Sequence, residues 1–149
     1  MNEINVYVSG CTLPYFEDMV FGGYVIADEQ HNIMYARRSV LAQQKYLKLG
    51  TAGGAVSAAM GGIGLAINLP MLHDVKTVNI YSDLDIETAM FKFHNVKDKV
   101  KLKGKLLVNK QINFIKVVDS EELVDVARAV AQNVPLKELE SVLLPPSKV

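Results

Sequence analysis

With 149 residues, half of them apolar and 21% charged, the chain has the composition of one globular domain, able to bury roughly 70% of its unfolded surface. Sixteen basic residues balance sixteen acidic ones, which excludes a global field that draws in nucleic acid and leaves only local clustering to do so. The single cysteine, Cys11, excludes an internal disulfide and offers no metal-site spacing.

In chain order, residues 4–9 alternate and are rich in Ile, Val and Tyr, which predicts a strand. No basic-then-apolar leader precedes them, and the expectation is a soluble, cytoplasmic protein. Residues 19–27 and 32–40 are two further strand-like runs around Asp28-Glu29-Gln30-His31, a polar stretch suited to a hairpin. Thr51 is placed to cap a helix running to about Leu69, where Pro70 helps to end it. From Thr51 to Leu72 there is no charged residue, close to the length of a membrane span. Five glycines, Asn68 and Pro70, between strand-like neighbours, argue for a buried helix and no membrane.

Residues 76–81 form a fourth strand, Asp85 to Phe93 a short helix, and 111–118 a fifth strand. Asp119 and Glu122 stand at capping-box spacing before a helix that runs to about Gln132. The expected organisation is a domain over residues 1–133 and a C-terminal tail over 134–149, which holds Pro135, Pro145 and Pro146. Three strands, a helix, then alternating strands and helices predict an α/β fold: a mixed five-stranded sheet with helices on its faces.

This order, with the segments INVYVSGC (4–11), IYSD (80–83) and VDVARA (124–129), resembles the ribonuclease H-like fold family over roughly residues 3–132. The resemblance implies two-metal phosphodiester hydrolysis, with Mg²⁺ or Mn²⁺ held by four carboxylates. It places these on the first strand, the first helix, the end of the fourth strand and the start of the last helix. The matching positions in this chain are Ser9, Val56 or a near neighbour, Asp83 and Asp125. Only Asp83 and Asp125 are acids, so they alone remain as catalytic and metal-ligand candidates. Other constellations are weak: His31, His73 and His94 are dispersed, and Gly53-Gly54 and Gly61-Gly62-x-Gly64 lack the lysine of a phosphate loop.

Two surfaces stand out beyond the catalytic positions. Gly54, Ala58, Gly62 and Ala66 recur every four residues and make a smooth stripe that lets another backbone approach. With the absence of charge, this predicts a helix covered on both faces and a homodimer interface through the stripe. Between Lys92 and Lys116 stand eight lysines against one acid, Asp98. Lys97, Lys99, Lys101, Lys103 and Lys105 alternate, and the segment occupies the place of a basic protrusion that the resemblance associates with gripping a hybrid's backbone. Lysines without interleaved aromatics suit phosphate contact rather than base readout.

Three functional readings are open on the sequence. The leading one is a catalytically degenerate ribonuclease H-like scaffold, dimeric and binding duplex RNA or RNA–DNA hybrid without sequence preference, with no cofactor required. The second is an active metal-dependent ribonuclease with a reduced site, using Asp83, Asp125 and an unidentified acid. The third is a protein–protein adaptor with no affinity for nucleic acid.

Overall fold

Alternating apolar side chains make the first segment a strand, and helices on both sides of the sheet bury nearly all of it. In the computed structural model, which describes residues 2–12, 19–41, 50–88, 111–118 and 121–132, strand β1 spans Glu3–Cys11, and every residue after Glu3 is buried. Strand β2 (Val20–Ala27) is buried throughout, and β3 (Ile33–Leu41) follows through the turn at 28–32. Helix α1 covers Thr51–Asn68, a 3-10 turn Pro70–Leu72, β4 Thr77–Ser82, β5 Gln111–Lys116 and helix α2 Glu122–Ala131. Residues 86–88 are helical; the rest of the expected helix to Phe93, the lysines at 97–105 and the tail lie outside the described residues.

The five strands run in the order β3-β2-β1-β4-β5. The first three are antiparallel neighbours, whereas β1, β4 and β5 are parallel, giving the mixed sheet expected. Side chains alternate between faces. Ile4, Val6 and Val8 point to the face under α1, where they pack with Val56, Ala59, Ile63, Val78 and Ile80. Tyr7 and Val25 point to the other face and pack with Leu123, Val124, Val126 and Ala127 of α2.

The adjacent glycines Gly22 and Gly23 serve opposite faces. A Cβ on Gly22 would lie 2.0 Å from the carbonyl oxygen of Gly54 in α1; one on Gly23 would lie 2.0 Å from that of Ala127 in α2. Both helices therefore rest on bare backbone of β2. Gly54 makes the reciprocal contact, its hypothetical Cβ 2.1 Å from the carbonyl oxygen of Phe21.

This geometry corrects the stripe's assignment. Gly54, Ala58, Gly62 and Ala66 are buried, Gly54 and Gly62 against β1 and β2 of their own chain: a Cβ on Gly62 would meet Val6 Cγ1 at 2.6 Å. The backbone that approaches closely is the sheet, so these four residues are not available as a dimer interface, and Gly62→Glu would break helix packing rather than report on association. The expected cover on both faces holds for residues 53–59, which are buried around two full turns, whereas Met60, Gly61, Gly64 and Leu65 beyond them are half-buried.

The helix ends also differ from expectation. Gly50, at φ 58°, takes the cap position that the sequence assigns to Thr51, and its carbonyl accepts from Gly53 and Gly54 N–H at 3.0 and 3.3 Å. A positive φ there suits glycine. Leu69 is extended before Pro70, as steric conflict with the proline ring requires. On α2 the cap is Glu121, whose carboxylate accepts from Leu123 N–H at 3.3 Å; Asp119 of the expected capping box lies outside the described residues. At the other end Arg38 of β3 donates from Nε to Ala131 O at 3.1 Å and lies 4.5 Å over the Phe21 ring, setting a cation at the negative end of α2.

A row of amides crosses the parallel strands. Asn5, Asn79 and Asn113 are in register on β1, β4 and β5. Asn113 donates to Asn79 at 2.9 Å, Asn79 to Asn5 at 3.2 Å, and Asn5 to the Asp28 carbonyl at 3.3 Å. Asn5 and Asn79 are buried, so each amide satisfies the next where water does not reach.

Candidate functional site

Parallel pairing of β1 with β4 brings their C-terminal ends side by side, the edge at which sheets of this kind present chemistry. Val8 and Ser82 are the last paired residues, so Ser9 and Asp83 are next on each strand. Ser9 pairs with Gly23 and therefore faces α2. It is buried, and its Oγ has no hydrogen-bond partner among the described residues.

Asp83 does not cap the helical turn that follows it. That role belongs to Asp85, which accepts from Thr88 N–H at 3.0 Å and Thr88 Oγ1 at 2.8 Å; the backbone hydrogen bond first, then the hydroxyl, hold its carboxyl below the usual range. Asp83 instead pairs through Oδ2 with Nη2 of Arg128 on α2. The other arm of the same guanidinium donates from Nη1 to Asp125 Oδ1 at 3.0 Å, one turn back on α2. Arg128 thus bridges the two acids singled out in the sequence. Its side chain is 35% exposed, against 38% for Asp83 and 60% for Asp125, so the triad lines open surface. It borders a cleft of about 460 Å³ whose wall also includes Lys116, Val118, Glu121 and Val124.

Arg128 does not stand out among the candidates that pattern selects. The signal available was its i, i+3 spacing from Asp125, which places a cation beside a carboxylate on one helix face. Only the fold could bring Asp83, 45 residues away, to the same guanidinium.

The metal pair implied by the sequence resemblance does not fit this donor set. Val56 is buried in the core under α1, on the far side of the sheet from Ser9, and α1 carries no acid. Ser9 offers a neutral hydroxyl where a carboxylate is needed. Among the described residues no group of three or more His, Cys, Asp or Glu converges on a point that could hold an ion. Asp28 lies at the other end of β1, beside Asn5, where its carboxylate accepts from Gln30 and Asn32 N–H at 2.9 Å each and shapes the β2–β3 turn.

In that turn His31 adopts φ 67°, and its Nδ1 lies 3.1 Å from Tyr7 Oη. Tyr7 stacks on Tyr81, ring centroids 4.8 Å apart. Burial, then the Glu121 carboxylate and Tyr81, push the Tyr7 phenol up to about 12. Burial likewise pushes the Cys11 thiol up, with Arg38 acting weakly against it, so Cys11 is not an activated nucleophile.

The five-stranded sheet with helices on both faces is the ribonuclease H-like fold. Among solved structures, the chain is similar to LC11-RNase H1 in complex with an RNA/DNA hybrid, at 15% identity and TM-score 0.62, over 92% of this chain and 99% of that one. It is similar at 12% identity and TM-score 0.57 to RNase H1 of the halophilic archaeon Halobacterium salinarum, over 90% and 100% of the two chains. A foamy viral protease-reverse transcriptase in complex with dsDNA matches at 17% identity and TM-score 0.58, over 88% and 91%. No protein-family model matches the sequence, and neither does any curated protein. No helix among the described residues is long and apolar enough to cross a membrane.

Proposed function

We propose that this chain is a ribonuclease H-like domain that holds duplex RNA or RNA–DNA hybrid by its backbone, in the cytoplasm, without cutting it and without needing a divalent metal. One observation carries the reading: the two acids that remain at the catalytic positions are both engaged by Arg128. Ser9 and the acid-free α1 supply no further ligands. Support for a duplex as partner comes from the fold, shared with an enzyme solved on a hybrid, and from the lysines at 97, 99, 101, 103 and 105. Point charges of this kind contact phosphate, so affinity should fall linearly on a log–log plot against salt.

The test is an end-labelled RNA–DNA hybrid incubated with the protein in Mg²⁺ and in Mn²⁺, with Asp83→Asn beside the wild type. The expected result is retention of the hybrid without cleavage, with steep salt dependence that flattens when the five lysines are changed to alanine. Cleavage that disappears in Asp83→Asn would make the protein a working nuclease. Absence of any salt-sensitive binding would leave the adaptor reading.

A further inference from the structure

We infer that Arg128 is an internal stand-in for a divalent cation: its guanidinium neutralises the Asp83–Asp125 pair from within the chain, and an external metal ion is thereby kept out. The inference deepens the reading of the same site proposed above, but it concerns the protein alone and its test contains no nucleic acid.

Three features of the site support it. Asp83 follows the last residue of β4 and Asp125 lies in the first turn of α2, so two negative charges on separate elements face one cleft. Such a pair destabilises the docking of α2 on the sheet unless a cation lies between them. Arg128 supplies it with two separate arms, Nη2 to Asp83 and Nη1 to Asp125, and its charge is what the pair requires.

The second feature is tethering. Arg128 is on the same helix as Asp125, three residues on, so its charge is delivered by folding and is not lost by dilution. The third is the remainder of the charge. Of the other ionised groups lining the cleft, Lys116 offsets Glu121, and the triad itself keeps a single negative charge. A divalent ion would have to displace the guanidinium and then be held chiefly by the carboxylates of Asp83 and Asp125.

Magnitude decides how the exclusion works. A partly exposed ion pair is worth only a few-fold in equilibrium terms. Arg128 alone would not keep an ion out of a full four-carboxylate site, but it suffices where two ligands are already missing.

The experiment is a Mn²⁺ titration of the whole protein followed by water-proton relaxation, with thermal unfolding in parallel, for wild type, Asp83→Asn, Arg128→Ala, Arg128→Gln, Arg128→Lys and Arg128→Ala/Asp83→Asn. The wild type should bind Mn²⁺ weakly and show no rise in Tm. Arg128→Ala and Arg128→Gln should bind it roughly 5-fold more tightly than wild type, with a Mn²⁺-dependent rise in Tm of roughly 2–4 °C. Both gains should vanish when Asp83→Asn is added. Arg128→Lys, which keeps the charge, should behave like wild type towards Mn²⁺.

Equal Mn²⁺ affinity in wild type and in folded Arg128→Gln would overturn the inference, as would a Mn²⁺-dependent rise in wild-type Tm that Asp83→Asn abolishes. If Arg128→Lys gained the metal as readily as Arg128→Gln, the charge would not be the excluding element and the idea would fail. Circular dichroism at the starting temperature verifies folding, and Gln preserves most of the arginine stem if Ala does not fold. Failure of the duplex-binding proposal is read separately, in the hybrid assay, and leaves these outcomes unchanged.

Discussion

Gly54 and Gly64, both in α1, should respond to the same substitution with opposite signs. At Gly64 an added Cβ meets nothing within 4 Å among the described residues, so Gly64→Ala should gain helix propensity of about 1 kcal/mol. At Gly54 the same methyl would lie 2.1 Å from Phe21 O and 3.2 Å from the Gly10 Cα, both backbone atoms that cannot rotate aside. To restore even a tight contact of about 3.0 Å, α1 must lift by roughly 1 Å from β1 and β2, loosening the packing around Val56, Ala59 and Ile63. Overpacking of this kind costs about 1–3 kcal/mol, and more where backbone is the obstacle. Set against the same propensity gain, the net expectation for Gly54→Ala is a loss of about 2 kcal/mol. For a domain of this size that is a fall in Tm of roughly 4–8 °C, while Gly64→Ala should rise by roughly 2–4 °C. Urea unfolding at 25 °C, with midpoints compared at constant m-value, measures both. If the two variants moved together, glycine contacts would not be setting the height of α1 over the sheet, and the stripe would need another physical reason.

Asn79→Ala removes the middle of the amide row, leaving buried Asn5 without its donor while half-buried Asn113 turns to water. The expected cost is about 2 kcal/mol in urea unfolding, with Asn113→Ala well below it. Tyr7 makes stability fall with rising alkali: unfolded tyrosine ionises near pH 10, but the buried phenol holds its proton to about 12, so between those values the unfolded state binds fewer protons and is favoured. The contribution is fully present below about pH 10, and about 2 kcal/mol of it should be lost by pH 12. Tyr7→Phe should flatten that part of the Tm–pH curve, leaving the smaller slope from Tyr24 and Tyr81, whose phenols burial also pushes up. An unchanged curve in Tyr7→Phe would refute the assignment.

The strands were readable because alternation of Ile, Val and Tyr with smaller or polar residues reports local geometry. β1, β2 and β4 lie within one or two residues of the segments expected from pattern alone. The five lysines and the tail lie outside the described residues, so what is said of them rests on sequence.

What sequence determined by itself is what depends on near neighbours: the period of each segment, the stop at Pro70, a serine at position 9 and an α1 without charge. It also told that the small-residue stripe lets another backbone approach closely. Which backbone it meets was a tertiary matter. Gly22 and Gly54 are 32 positions apart, and only the stacking of α1 on β2 shows that each is the space the other requires. The same holds at the site. Asp83 and Asp125 are recognisable as isolated carboxylates, but a charge is defined by what lies within a few ångströms of it. Parallel pairing of β1 with β4 and the seating of α2 across the sheet brought Arg128 between them, and that contact joins two carboxylates into one ion-pair triad.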